Sequence, residues 1–161
     1  MKKILSVLLV CIISIAFNCP CFAAVLPANT PVLVQANSSV TSANLKSGDS
    51  VYFNVVNNVL NSGNVVIAQG TPVVGIVKRV TKKRWLGVPG YIEIGDFTTK
   101  SINDVTIPLN GAVNEKGKSN KTLSVALTIL ILPLFFIFTG KNAVINQGYQ
   151  TTLFTTTNTN I

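Results

Sequence analysis

The sequence predicts an all-β protein: a small, partly open β-barrel or sandwich of short strands, interrupted late by one hydrophobic membrane segment that is a helix or a helical hairpin. Three observations lead there. Residues 25 to 111 carry β-branched and aromatic runs of four to eight residues, separated by Gly, Asn, Asp and Pro. A turn motif recurs three times, and its third copy lies beyond a long apolar stretch. That stretch, Thr122 to Thr139, is 18 residues without a charge.

The chain opens with a different pattern. Met1, Lys2 and Lys3 form a short positive start, Ile4 to Phe17 is apolar, and Cys21-Phe22-Ala23 puts small residues at the −3 and −1 positions before Ala24. This is the three-part design of a secretory signal peptide, assigned to residues 1–23. An uncleaved anchor would need closer to twenty apolar residues. All three cysteines, Cys11, Cys19 and Cys21, fall within the leader, so a chain beginning at Ala24 has no thiol and no disulfide. Val10, Asn18 and Pro20 precede those cysteines, where lipidation would require a small residue. The expected location is therefore the periplasm or cell envelope. With the leader gone, 11 Lys and Arg face 5 acids, a balance that suits anionic lipid heads or acidic glycans.

The β domain is expected over residues 24–121. Its runs begin at Val32 and Val34, continue through Val51 to Val56, Val65 to Ile67, Val73 to Val80 and Tyr91 to Phe97, and end at Val105 to Leu109. Ser47-Gly48-Asp49 supplies a positive-φ position before the Val51 run, and Asn61-Ser62-Gly63-Asn64 another between Val59 and Val65. Asn103-Asp104 should turn the chain before Val105. Pro108 lacks an amide donor and is expected to face an edge.

The recurring motif is Leu26-Pro27-Ala28-Asn29-Thr30-Pro31-Val32, Ile67-Ala68-Gln69-Gly70-Thr71-Pro72-Val73 and Ile145-Asn146-Gln147-Gly148-Tyr149-Gln150-Thr151. Each copy reads as a tight turn entering a strand, with Asn29, Gly70 and Gly148 at the positive-φ position. Because the third copy follows the apolar stretch, that stretch should interrupt one β domain rather than end it. Returning strands are expected over residues 141–154 and a disordered Thr/Asn tail over 155–161.

The apolar stretch, bounded at residues 122–140, presents Leu123, Leu127, Leu130, Pro133, Phe136 and Phe138 among its large side chains. As one helix it would be about 27 Å long, just short of a hydrocarbon core of about 30 Å. Lys116, Lys118 and Lys121 precede it and Lys141 follows. A single crossing after a cleaved leader would leave the larger set of lysines outside, against the positive-inside tendency. A hairpin broken at Pro133 would return both sets to one surface. A spanning helix, a hairpin or interfacial insert, and a buried subunit contact remain three ways to place it.

No His and no cysteine beyond the leader leave no zinc site of the usual ligands and no His-based triad. Glu93 and Asp96, three apart on a strand, should face opposite ways, and Asp49 and Asp104 fit turns. Neither an enzyme nor a bound cofactor or metal is expected. The sharpest polar feature is Lys78, Arg79, Lys82, Lys83, Arg84 and Trp85, with Tyr91 beyond the Gly87-Val88-Pro89-Gly90 turn. Cations beside aromatics suit a lipid head-group boundary or a polyanion, and equally a solvated hairpin tip.

Four further segments carry a resemblance. Leu26-Pro27-Ala28-Asn29-Thr30, Leu45-Lys46-Ser47-Gly48-Asp49-Ser50-Val51-Tyr52-Phe53, Val66-Ile67-Ala68-Gln69-Gly70-Thr71-Pro72-Val73-Val74-Gly75 and Ile92-Glu93-Ile94-Gly95-Asp96-Phe97 resemble the periplasmic β-barrel domain of TrbI-like conjugation and type IV secretion channel subunits. That resemblance covers about residues 25–111 and 141–154, and it implies a late membrane insertion followed by a returning strand. It implies no catalytic residues. The chain is much shorter than that family's members and has no long proline-rich spacer. The expectation is a non-enzymatic bacterial cell-envelope protein, membrane-attached, with a scaffolding or assembly role. An exported module whose basic loop contacts anionic lipid head groups or glycans is the alternative. Expected partners are a membrane, further copies of the chain or other envelope proteins. Export makes nucleic acid the least natural of the polyanions.

Overall fold

The computed structural model describes residues 25–85, 87–119 and 139–160, and every regular element among them is a strand. In chain order these are β1 (Val25–Leu26), β2 (Pro31–Ala36), β3 (Val40–Thr41), β4 (Ser50–Val55), β5 (Val59–Asn61), β6 (Asn64–Ile67) and β7 (Pro72–Thr81). They continue with β8 (Tyr91–Lys100), β9 (Thr106–Asn110), β10 (Val113–Lys116), β11 (Val144–Ile145), β12 (Gln150–Thr155) and β13 (Thr159–Asn160). No helix among the described residues is long and apolar enough to cross a membrane. The leader over 1–23 and the body of the apolar segment, with Leu123, Leu127, Leu130, Pro133, Phe136 and Phe138, lie outside the described residues.

Six strands close on themselves in the order β8, β7, β4, β2, β12, β9, with β9 pairing back to β8 and every pairing antiparallel. The partly open barrel or sandwich expected from the sequence is thus corrected to a closed barrel. Closure depends on β12, which pairs with β2 from Gln150↔Gln35 to Phe154↔Pro31 and with β9 at Phe154↔Asn110 and Thr155↔Leu109. A strand from beyond the apolar stretch therefore fills the gap between two strands that precede it. Closing the sheet removes its edges.

Alternation explains which way each strand faces. In β2, Val32, Val34 and Ala36 are buried while Pro31 is exposed, and in β4 Val51, Phe53 and Val55 are buried while Ser50 and Tyr52 are exposed. Phe53 and Phe97 meet edge to face inside, with centroids 5.6 Å apart and planes at 74°. Gly75 lies beneath this pair; a Cβ there would overlap the Phe97 ring and Ile94.

The turns that launch the strands repeat one geometry. Asn29, Gly70 and Gly148 have φ of 63°, 82° and 86°. Their amides donate to the carbonyls of Thr155, Val55 and Ala36, each near or at the end of a neighbouring strand. In return, those three residues donate to the carbonyls of Thr30, Thr71 and Tyr149. A fourth copy forms at Gly48, φ 93°, which exchanges the same two bonds with Val77 through Asp49. Each turn thereby fastens the start of one strand to its neighbour and removes exposed main-chain donors.

Pro108 lies within the barrel rather than on an edge strand, opposite Thr98. Its carbonyl accepts from Thr156, just past the end of β12; proline has no amide to return that bond, and the β12–β9 ladder ends one residue earlier, at Thr155↔Leu109. Residues 155–160, read from composition as a disordered tail, are ordered. Thr155 belongs to β12, and β13 pairs with β1 through Val25↔Asn160 and Leu26↔Thr159. The buried Thr155 hydroxyl donates to the Pro27 carbonyl at 2.7 Å and accepts from the Thr30 amide at 2.9 Å. Main-chain pairing and one buried hydroxyl outweigh the polar composition there.

Candidate functional site

The β7–β8 ribbon runs past the barrel, and a pair of bulges marks where it leaves. Ile76↔Gly95 and Val74↔Thr98 leave an extra residue in β8, and Val77↔Ile94 and Arg79↔Glu93 leave an extra one in β7. Asp96, with φ 47°, and Lys78 are those added residues, and they form an ion pair. A bulge bends its strand and strengthens the local twist. At this level β8 also changes partner: Phe97 to Lys100 pair with β9, and Tyr91 to Ile94 pair with β10.

Beyond the bulges, three segments meet at the ribbon's tip. The first is the hairpin tip itself, closed by the Arg84 amide donating to the Val88 carbonyl at 3.0 Å. The second is the chain leaving β10, where the Gly117 amide donates to the Gly90 carbonyl at 2.9 Å and the Ser119 hydroxyl donates to the Gly87 carbonyl at 3.4 Å. The third is the chain returning at residues 139–143. Its Gly140 amide donates to the Arg84 carbonyl at 3.2 Å, its Lys141 amide donates to the Lys118 carbonyl at 3.2 Å, and its Lys141 carbonyl accepts from Gly90 at 2.9 Å. The returning chain then joins the barrel's flank, where the buried Ser42 and Ala143 exchange two bonds of 3.0 and 3.1 Å and β11 pairs with β3.

Gly90, Gly117 and Gly140 permit this main-chain-to-main-chain packing. A Cβ at Gly90 would overlap the Ser42 hydroxyl, one at Gly117 the Lys141 carbonyl, and one at Gly140 the Val88 carbonyl. The three glycines are visible in the sequence, but their convergence depends on the fold.

The basic residues singled out from the sequence divide into two groups. Lys78 pairs with Asp96 at the bulge, and Arg79 Nε lies 3.9 Å from Glu93 Oε2, so these two belong to the ribbon's stem. Lys82, Lys83, Arg84 and Trp85 are exposed on the tip, and Trp85 keeps 68% of its surface accessible. Tyr91 stands apart from them as a half-buried residue of β8, opposite Thr81 and Lys116. The fold adds cations the linear cluster did not include: Lys116, Lys118 and Lys141 are exposed on the two segments that meet the tip.

Charge is consequently one-sided. Of the ten cations among the described residues, eight lie on the ribbon beyond Val77 or on the segments joined to it, against three carboxylates, Glu93, Asp96 and Glu115. Lys46 and Lys100 offset Asp49 and Asp104 elsewhere. The Lys46 amide donates to Asp49 Oδ2 and Lys100 pairs with Asp104 at 3.1 Å, both in turns. No group of three or more potential metal ligands occurs among the described residues. Asn29, Gly70 and Gly148 act as strand-launching turns away from this cluster; Gly70 and Gln147 border a polar groove with Gln35, Asn54 and Gln69.

Compared with known proteins, the chain matches no family model and no curated sequence.

Proposed function

We propose that the chain is a non-enzymatic bacterial cell-envelope protein, exported through its leader, in which the closed barrel is carried at a membrane by the apolar residues 122–140 and serves as a scaffold or assembly element. The observation that carries this reading is the convergence at the tip. Lys118 and Lys141 are joined by a 3.2 Å hydrogen bond, yet 22 residues separate them and most of those are apolar. A stretch that starts and ends at one place favours an insert that enters and returns over one that crosses a core of about 30 Å once. It also removes the conflict with the positive-inside tendency, because both lysine sets stay on the exported side.

The carboxylates support a non-catalytic role. Asp96, Glu93 and Asp104 each face a cation and Asp49 accepts the Lys46 amide in a turn, so four of the five carboxylates are held in structural contacts. The resemblance to TrbI-like barrels implies the same kind of work, assembly at an envelope, without fixing the partners.

Labelling tests the reading. Single cysteines at the exposed Ala112 and Gln147, one on each side of the apolar stretch, are introduced after Cys11, Cys19 and Cys21 are changed to Ser. Both should react with an impermeant thiol reagent in spheroplasts. Reaction at Ala112 alone, with Gln147 protected until lysis, would show a single crossing and end the proposal.

A further inference from the structure

The tip gathers more cations than the ion pairs among the described residues neutralise. Lys82, Lys83, Arg84, Lys116, Lys118 and Lys141 form no ion pair among the described residues, whereas both described stem cations have a carboxylate partner. The tip is also where Trp85 leaves most of its indole in water. The remainder of the barrel is charge-balanced, so the excess is not a general solubility device spread over the surface.

We propose that this basic, tryptophan-bearing tip is a binding surface for the head groups of anionic phospholipids, arranged as a collar around the point where the apolar stretch leaves and rejoins the barrel. The proposal rests on the membrane attachment argued above and adds what kind of membrane is recognised, and by which residues. Three features fit a lipid surface better than a solvated hairpin. The cations come from three segments that converge through main-chain bonds, so they form a patch rather than a linear run. An exposed indole suits the head-group level, where its apolar body and its N–H are both accommodated. Each cation near an anionic surface strengthens attraction within about a Debye length, and the several supplied here act together.

The test uses the full-length protein purified as the cell processes it, with vesicles of phosphatidylcholine alone or with phosphatidylglycerol added. Binding to the mixed vesicles at low salt should be at least about 100-fold tighter than to the neutral ones, and the gain should vanish at high salt. The triple variant K82Q/K83Q/R84Q should lose about 100-fold on mixed vesicles while retaining its binding to neutral ones. Its melting temperature should match the parent's because the three side chains are exposed. Trp85→Ala should weaken binding to both kinds of vesicle. Equal binding to neutral and mixed vesicles, or a triple variant as tight as the parent, would overturn the lipid proposal and leave the attachment standing. Binding to neither kind would overturn the attachment and this proposal together. A preference for soluble heparin with no phosphatidylglycerol gain would reassign the patch to a polyanionic polymer and likewise overturn it.

Discussion

The barrel and the tip of its β7–β8 ribbon are held together by different means. In the barrel, alternating side chains converge on a sealed interior, with Val32, Phe53, Ile94, Phe97, Ile107 and Leu153 all essentially inaccessible. At the tip, order comes from main-chain bonds among three segments and from glycines that let them approach. The first region is insensitive to the identity of its exposed residues and sensitive to interior volume. The second has little interior to damage but little tolerance for a Cβ, and it carries the molecule's charge excess. Stability and surface chemistry are thereby separated, and substitutions should divide along the same line.

Phe97→Ala should be the most damaging single change. It removes the ring that meets Phe53 and covers Gly75, and a loss of about 3–5 kcal/mol in chemical denaturation is expected. Thr155→Val keeps the shape but leaves the Thr30 amide without its acceptor, while the Pro27 carbonyl keeps the Thr30 hydroxyl, for about 1–3 kcal/mol in the same assay. Gly117→Ala sharpens the comparison. Its Cβ meets the Lys141 carbonyl, so about 1–3 kcal/mol should be lost at the tip, read as faster amide exchange at Gly117 and Lys141 with β4 and β12 protected as before. Gly148→Ala places a side chain at φ 86° and should cost about 1–2 kcal/mol, whereas Asn29→Gly at φ 63° should change the melting midpoint little. The smallest effect belongs to K82Q/K83Q/R84Q, within about 0.5 kcal/mol of the parent, because these side chains are exposed and have no ion-pair partner among the described residues.

Much of the barrel is legible in the sequence because alternation is local. The runs at Val32, Val51, Val65, Val73, Tyr91 and Val105 correspond to β2, β4, β6, β7, β8 and β9, and Ser62 and Gly63 both take positive φ in the two-residue β5–β6 turn. Three features depend on distant partners and are not legible. β10, Val113 to Lys116, is mostly polar and buries fully only Val113, so no period announces it. The third turn motif announces a strand returning beyond the apolar stretch, but its seat between β2 and β9, which closes the barrel, is not encoded locally, and the Thr/Asn tail is ordered by pairing with β1, which its composition does not encode. At the tip, Lys82 to Trp85 could be read directly as an exposed basic loop. That Lys78 belongs to the stem follows from a bulge, and that Lys116, Lys118 and Lys141 join the tip follows from hydrogen bonds between segments far apart in sequence. The three glycines were visible, but nothing in their spacing pointed to one another.

The central claim is that the chain on the two sides of the apolar stretch forms one closed barrel. Cysteine cross-linking of the full-length chain in cells tests it most directly, with Cys11, Cys19 and Cys21 changed to Ser. Gln35 stands opposite Asn54 on one side and opposite Gln150 on the other, so it offers a matched pair of measurements. Both Q35C/N54C and Q35C/Q150C should form a disulfide under mild oxidation. A cross-link in Q35C/N54C with none in Q35C/Q150C would place β12 outside the barrel and contradict the account.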